Sequence, residues 1–231
     1  MNNTLPEIFE LYDALSKKLL QLRKNSSFDN DDGRKDIYGI LRNQILWLQV
    51  TLHIMHAENI RMLEPSQVFK DVFGIGYEHT KWWKEDFQIQ VKDSFMTMYN
   101  FMLENFFKIL LSELDTSKNP SFGYYKILEN VITLSNIPDG KKKLYAIYTL
   151  ALHRNALHNN GFHYPTSKEF DHIIIEIRDI QFEFKKGKET EMNFSQMAVL
   201  LDKIIDILDE IISSPKVQQL ISVSKYFNPK I

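Results

Sequence analysis

Apolar residues recur at three- and four-residue steps along most of this chain, the spacing that gathers them on one side of an α-helix. Leu5, Ile8, Phe9, Tyr12, Leu15, Leu19 and Leu22 form one such stripe, and Thr4-Leu5-Pro6-Glu7 supplies the cap, early proline and following glutamate with which helices begin. After a polar loop from Asn25 to Gly33, the series Ile37, Ile40, Leu41, Ile45, Leu48, Leu52 and Met55 predicts a helix from Lys35 to about Leu63, long enough to cross a whole domain. Residues Glu64 to Asp86 read as irregular and aromatic, with Tyr77, His79, Trp82 and Trp83. A second long helix follows over Gln88–Leu114, carried by Val91, Phe95, Met98, Met102, Phe106, Ile109 and Leu110. Shorter helices are expected over Tyr124–Asn136 and Lys141–His158, separated by Pro138-Asp139-Gly140. Ser195–Ser213 closes the set, and Pro215 breaks the chain before a short helix over 216–227.

The period changes once. Ile180, Phe182 and Phe184 alternate with polar residues and are followed by Lys186-Gly187-Lys188, which predicts a β-hairpin over 180–194 returning through Thr190 to Phe194. Residues His172 to Ile177 stay open between two states. Their β-branched isoleucines favour a strand, while Thr166-x-x-Glu169 favours a capped helix. The expected fold is all-α: one domain over 1–231, a bundle of five or more long helices with a small β-hairpin insertion before the C-terminal helices. In the helix over 88–114, Met96, Tyr99, Phe101, Leu103 and Phe107 widen the apolar arc beyond one stripe. Such a helix is enclosed by neighbours or keeps part of its surface for a second subunit, and a dimer face is the preferred account.

Composition narrows the partners. With 231 residues, 44% of them hydrophobic, and a net charge of -2, the chain can build one sizeable core but not a broadly basic surface. Contact with nucleic acid would have to be local. From Gly140 to His163 there is such a bias, because Lys141, Lys142, Lys143 and Arg154 occur without any carboxylate. The absence of cysteine excludes disulfides, thiolate metal sites and cysteine nucleophiles, and suits a cytoplasmic location. Met1 to Glu10 shows no secretory signal, and the most apolar stretch, Phe95 to Leu111, is interrupted by Asn100, Glu104, Asn105 and Lys108, so no membrane association is expected.

The chemistry concentrates in Leu152-His153-Arg154-Asn155-Ala156-Leu157-His158-Asn159-Asn160-Gly161-Phe162-His163. Residues four apart share a helix face, so Arg154 and His158 project together, on the side of Ile147, Leu150 and Ala151, with Asn155 beside them. An arginine on an apolar stripe is costly unless it meets a carboxylate, a phosphate or several carbonyls. Asn159-Asn160-Gly161 tolerate left-handed backbone and close the helix, leaving both side chains in its last turn. A fixed cation beside a titratable imidazole suits a phosphodiester, the first stabilising charge on phosphorus and the second moving a proton. The structural alternative is an ordinary helix end whose arginine reaches an acidic neighbour, such as a glutamate on a facing helix.

Other candidates are weaker. Asp29-Asn30-Asp31-Asp32-Gly33 fails as a calcium loop, since the required register puts Phe28 and Gly39 at ligand positions. His53 and His56 lie three apart, but no Glu-x-x-His pair accompanies them and no metal is expected. Gly74-Ile75-Gly76 lacks the preceding strand of a phosphate loop. One of Trp82 and Trp83 should cover the bundle while the other meets solvent, a partner or a base.

Arg154-Asn155 followed by His158, near the end of the penultimate long helix of an all-helical chain, resembles the signature of the HEPN superfamily, the higher eukaryotes and prokaryotes nucleotide-binding domains. The motif is shortened: three residues separate Arg154 from His158, where the family commonly has four to six. The resemblance implies a helical bundle that forms a homodimer with two motif copies at the interface. It also implies a metal-independent, cofactor-free endoribonuclease, often paired with an antitoxin or used in phage defence. Carried over by position, Arg154 would hold the scissile phosphate, Asn155 would orient it or the partner arginine, and His158 would be the general acid/base. Lys141, Lys142, Lys143, Asn159 and His163 are the accompanying substrate-binding candidates. Two competing readings remain: a non-catalytic dimerisation or interaction module in which the motif is structural, and a metal or small-molecule hydrolase using His53, His56 or His79.

Overall fold

The computed structural model describes residues 5–61, 74, 77–117 and 123–224, with side chains at 5, 55–61 and 77–85 aside. Among them are seven α-helices: α1 (Leu5–Asn25), α2 (Gly33–Arg61), α3 (Tyr77–Leu114), α4 (Tyr124–Ser135), α5 (Gly140–Leu157), α6 (Phe194–Ile212) and α7 (Pro215–Gln218). A 3-10 turn, Lys168–Phe170, and an antiparallel pair, β1 (His172–Ile177) and β2 (Ile180–Lys185), lie between α5 and α6. The fold is the expected helical bundle with a small hairpin before its C-terminal helices. The threonine cap expected at Thr4 lies outside the described residues.

α6 is the apolar axis of this bundle. Met197, Leu200, Leu201, Ile204, Ile205, Ile207, Leu208 and Ile211 are all completely buried, and each such side chain contributes roughly 1.5–3 kcal/mol relative to exposure. Its start is fixed by a capping box in which Asn193 accepts from the Gln196 amide and the Gln196 side chain accepts from Asn193. α1 packs on α2 and α6, while α5 is enclosed by α3, α4, α6 and β1. Enclosure on so many sides explains why Ile147, Leu150, Ala151 and Leu152 are buried together with Thr149 and His153.

An ion pair inside the bundle ties the entry to α2 to residues 217–223. Asp32 and Arg34, both buried, form it at the entry to α2. The Arg34 guanidinium donates to both Asp32 oxygens and to the carbonyls of Val217 and Leu220, and it lies over the Phe28 ring. Asp32 also accepts from the Val223 amide. Gly33 is required here: a Cβ at this position would fall 2.5 Å from the Ser224 carbonyl oxygen.

Four sequence expectations change. α3 starts at Tyr77, not Gln88, because the charged and aromatic run from Tyr77 to Asp86 contains neither glycine nor proline to stop a helix even though it lacks an apolar stripe. Its backbone therefore carries Trp82 and Trp83, whose side chains lie outside the described residues. Of the helix expected over 216–227 only Pro215–Gln218 forms among the described residues, since the Asp32–Arg34 pair holds Leu220 and Val223 in a non-helical path, and 225–227 lie outside the described residues. The hairpin is also paired differently. β2 returns on the preceding segment, Ile175 opposite Phe182 and Ile177 opposite Ile180, which settles 172–177 as a strand. The turn is Arg178-Asp179, with Arg178 at φ 55°, a conformation that carries no glycine or asparagine signal in this sequence. Phe194 begins α6 and is not a returning strand. Finally, the wide apolar arc of α3 is mostly enclosed by neighbours: Met96, Tyr99, Leu103 and Phe107 are buried, whereas Met98 and Phe101 stay exposed.

Candidate functional site

α5 is set by its two ends. Asn136 closes α4 in the left-handed conformation, Pro138 follows, and Asp139, also left-handed, precedes α5. At the far end His158 still has helical backbone (φ -62°, ψ -17°), and the turn closes through Asn160 (φ 57°) and Gly161 (φ 88°). The Gly161 amide donates back to the Ala156 carbonyl at 2.9 Å, the long backward bond that terminates helices at such residues. The chain then binds the hairpin: the His163 amide donates to the Lys188 carbonyl, and Gly187 and Thr190 return bonds to His163 and Gly161. Thus the last turn of α5 sits on a backbone fixed from both sides.

Arg154 leaves this turn towards α3. Its Nη1 donates to Glu104 Oε2 at 3.0 Å, and its Nη2 donates to the Asn155 side-chain oxygen at 3.3 Å. The same glutamate accepts from Lys108 at 2.8 Å. Burial alone would raise the Glu104 carboxyl, but the hydrogen bonds and charges of Lys108 and Arg154 outweigh it and hold the carboxyl below its ordinary value. The Arg154 side chain nevertheless keeps 24% of its surface exposed. One turn on, His158 is exposed and lines a cleft of about 300 Å³ with Tyr148, Asn155, Asn159 and Tyr164. Burial raises the Tyr148 phenol, and the Arg154 charge works against that rise, so the guanidinium acts on the cleft wall.

The expected site residues separate into two groups. Arg154, Asn155, His158 and Asn159 come together at the helix end, where the Asn159 amide group donates to the Asn155 carbonyl. The lysines do not join them. Lys141 precedes Arg154 by thirteen residues, about 20 Å of helix axis at 1.5 Å per residue. Lys143 pairs with Glu210 and Lys141 lies over the Tyr145 ring, so this cluster serves the opposite end of α5. His163 reaches the cleft wall but is buried, its Nε2 donating to the Phe170 carbonyl at 2.7 Å against the Phe184 ring. Its role in that arrangement is to fasten the loop. His53 is exposed and meets Phe9 edge-on, and His56 and His79 have side chains outside the described residues. Among the described residues no three His, Asp or Glu side chains converge on a metal position.

Two participants escape a linear reading. Glu104 shows in sequence only as an interruption of an apolar run, and its pairing with Arg154 depends on α3 crossing α5. His153 looks like a flanking residue, yet it is buried with its Nε2 3.9 Å from Asp93 Oδ1. No protein-family model matches the chain, and no curated protein and no solved structure matches it either.

Proposed function

We propose that the last turn of α5 contacts RNA phosphate, and that a homodimer of this chain is a metal-independent endoribonuclease acting by transesterification. The observation that carries the reading is the mounting of Arg154. Glu104 fastens Nη1 from the inside, Nη2 is kept beside Asn155 at the surface, and His158 stands exposed one turn away. In this scheme the 2'-hydroxyl oxygen attacks the adjacent phosphorus, its proton passes to the His158 imidazole, and the bond to the 5'-oxygen breaks to leave a 2',3'-cyclic phosphate. The leaving oxygen takes a proton from an imidazolium. Arg154 offsets the charge that gathers on the phosphoryl oxygens. Exposed Trp47, Val50 and Ile54 on α2, with Met98 and Phe101 on α3, supply the apolar surface for a second copy.

A second reading has its own observation. The Arg154–Glu104 pair is a sufficient structural reason for the arginine, and it supports an interaction module without catalysis. Incubation of RNA with the protein in EDTA separates the two. Cleavage that persists in EDTA and vanishes in His158→Ala establishes the enzyme. Binding without cleavage, lost in Arg154→Ala, leaves an RNA-binding module. Intact RNA that is not retained at all, with a stable dimer in solution, establishes the interaction module.

A further inference from the structure

A different face of the same helix end carries a cleft of about 480 Å³, walled by Lys92 and Asp93 from α3, His153 and Leu157 from α5, and Glu189 and Glu191 from the segment before α6. Two polar atoms at its inner wall have no hydrogen-bond partner: His153 Nε2 and Asp93 Oδ1. Both atoms are themselves buried, within a His153 side chain that is 2% exposed and an Asp93 side chain that is 24% exposed. Leaving two such atoms unpaired costs about 1–3 kcal/mol each, an expense that calls for a reason. Their separation of 3.9 Å is too long for a bond between them. It does suit a third group: one nitrogen about 2.8 Å from each would sit at the apex of a nearly right angle.

The wall chooses the charge of that group. Among the described lining residues Asp93, Glu189 and Glu191 face the cleft against one cation, Lys92, so an anion would be repelled and a cation attracted. Lys92 does not satisfy the pair itself, its ammonium being 3.9 Å from Asp93 Oδ1. We propose that this cleft binds a small organic cation with N–H donors, a primary ammonium or guanidinium, donating to Asp93 Oδ1 and His153 Nε2. Such a ligand needs His153 neutral with its proton on Nδ1 so that Nε2 can accept. Burial, helped by the Lys92 charge, pushes that imidazole down to about 4 and keeps it neutral. The site stands on the Asp93–His153 geometry alone and is independent of any RNA contact at Arg154.

The probes are 1,4-diaminobutane and methylguanidinium, with tetramethylammonium as a cation of the same charge and no N–H donor. Calorimetric titration of the full chain gives affinity, and ¹⁵N spectra of its histidines report on His153 Nε2 directly. Expected are binding of both donor cations with a shift at His153, at least about tenfold weaker binding in Asp93→Asn, and tighter binding in Lys92→Met, where an internal competitor is removed. Tetramethylammonium should leave the His153 signal in place. Equal binding of tetramethylammonium, weaker binding in Lys92→Met, or no shift of the wild-type His153 signal at roughly 10 mM probe would each overturn the proposal. The last two readouts do not depend on the Asp93 variant folding.

Discussion

Arg34 uses every side of its guanidinium: two bonds to Asp32, two to backbone carbonyls, and a ring beneath it, with the residue 1% exposed. Arg154 makes one bond to a carboxylate that it shares with Lys108 and one to its own neighbour, and a quarter of its side chain meets solvent. Both arginines meet a carboxylate, but the first engages four of its five guanidinium donors and the second two. A guanidinium with four of its five N–H groups engaged and almost no exposed surface joins chain segments and is closed to a ligand. A less engaged one is positioned without being consumed, which is the arrangement that contact with a phosphate requires.

The largest effect should come from breaking the Asp32–Arg34 pair. Arg34→Ala leaves Asp32 charged and buried, and should cost about 3–5 kcal/mol in urea unfolding; a loss near that expected at Arg154 would erase the contrast. Acid should reveal the next. His153 titrates at about 4 when folded, against about 6.5 unfolded, so the unfolded chain takes up the proton first. Stability is therefore retained above about pH 6.5 and lost as pH falls towards 4, by up to roughly 3 kcal/mol. His153→Gln should flatten that window. Asp93, whose carboxyl is raised by burial against the pull of Lys92, works in the opposite sense and moderates the slope. Glu104 is lowered, so its own loss comes only at more acid pH.

Arg154→Ala should cost only about 1 kcal/mol of stability, because the pair is partly exposed and Lys108 still serves Glu104. RNA retention should fall by at least about tenfold for the same change, the reverse ranking to Arg34. Glu104→Gln sharpens the point, since removing the competing carboxylate should tighten RNA retention if Arg154 contacts phosphate. Least of all, Lys142→Ala should stay within about 0.5 kcal/mol and leave RNA retention unchanged. A large fall there would mean that the lysine end of α5 binds RNA instead.

The helices were legible where an apolar stripe ran their length, as in α1 and α6, and illegible where enclosure replaced a stripe. Tyr77 to Asp86 is helical without an apolar stripe of its own. The hairpin was legible as alternation in β2, but its partner was not, because Arg178 takes the left-handed turn position that a glycine or asparagine usually announces. At the site, Arg154, Asn155 and His158 could be grouped from helical spacing alone. Glu104, fifty residues earlier in the chain, and Asp93, sixty before His153, could not.

By itself, then, the order of apolar and polar residues determined the helical class, the solvent-facing sides of most helices and the gathering of an arginine, an asparagine and a histidine in one closing turn. These are local properties, set by a period of 3.6 residues and by the backbone preferences of asparagine and glycine. Tertiary structure decided which carboxylate each cation meets, which histidine is buried and which exposed, and that the lysines serve the other end of α5. Those outcomes depend on where α3 crosses α5, a long-range packing event that no local spacing encodes.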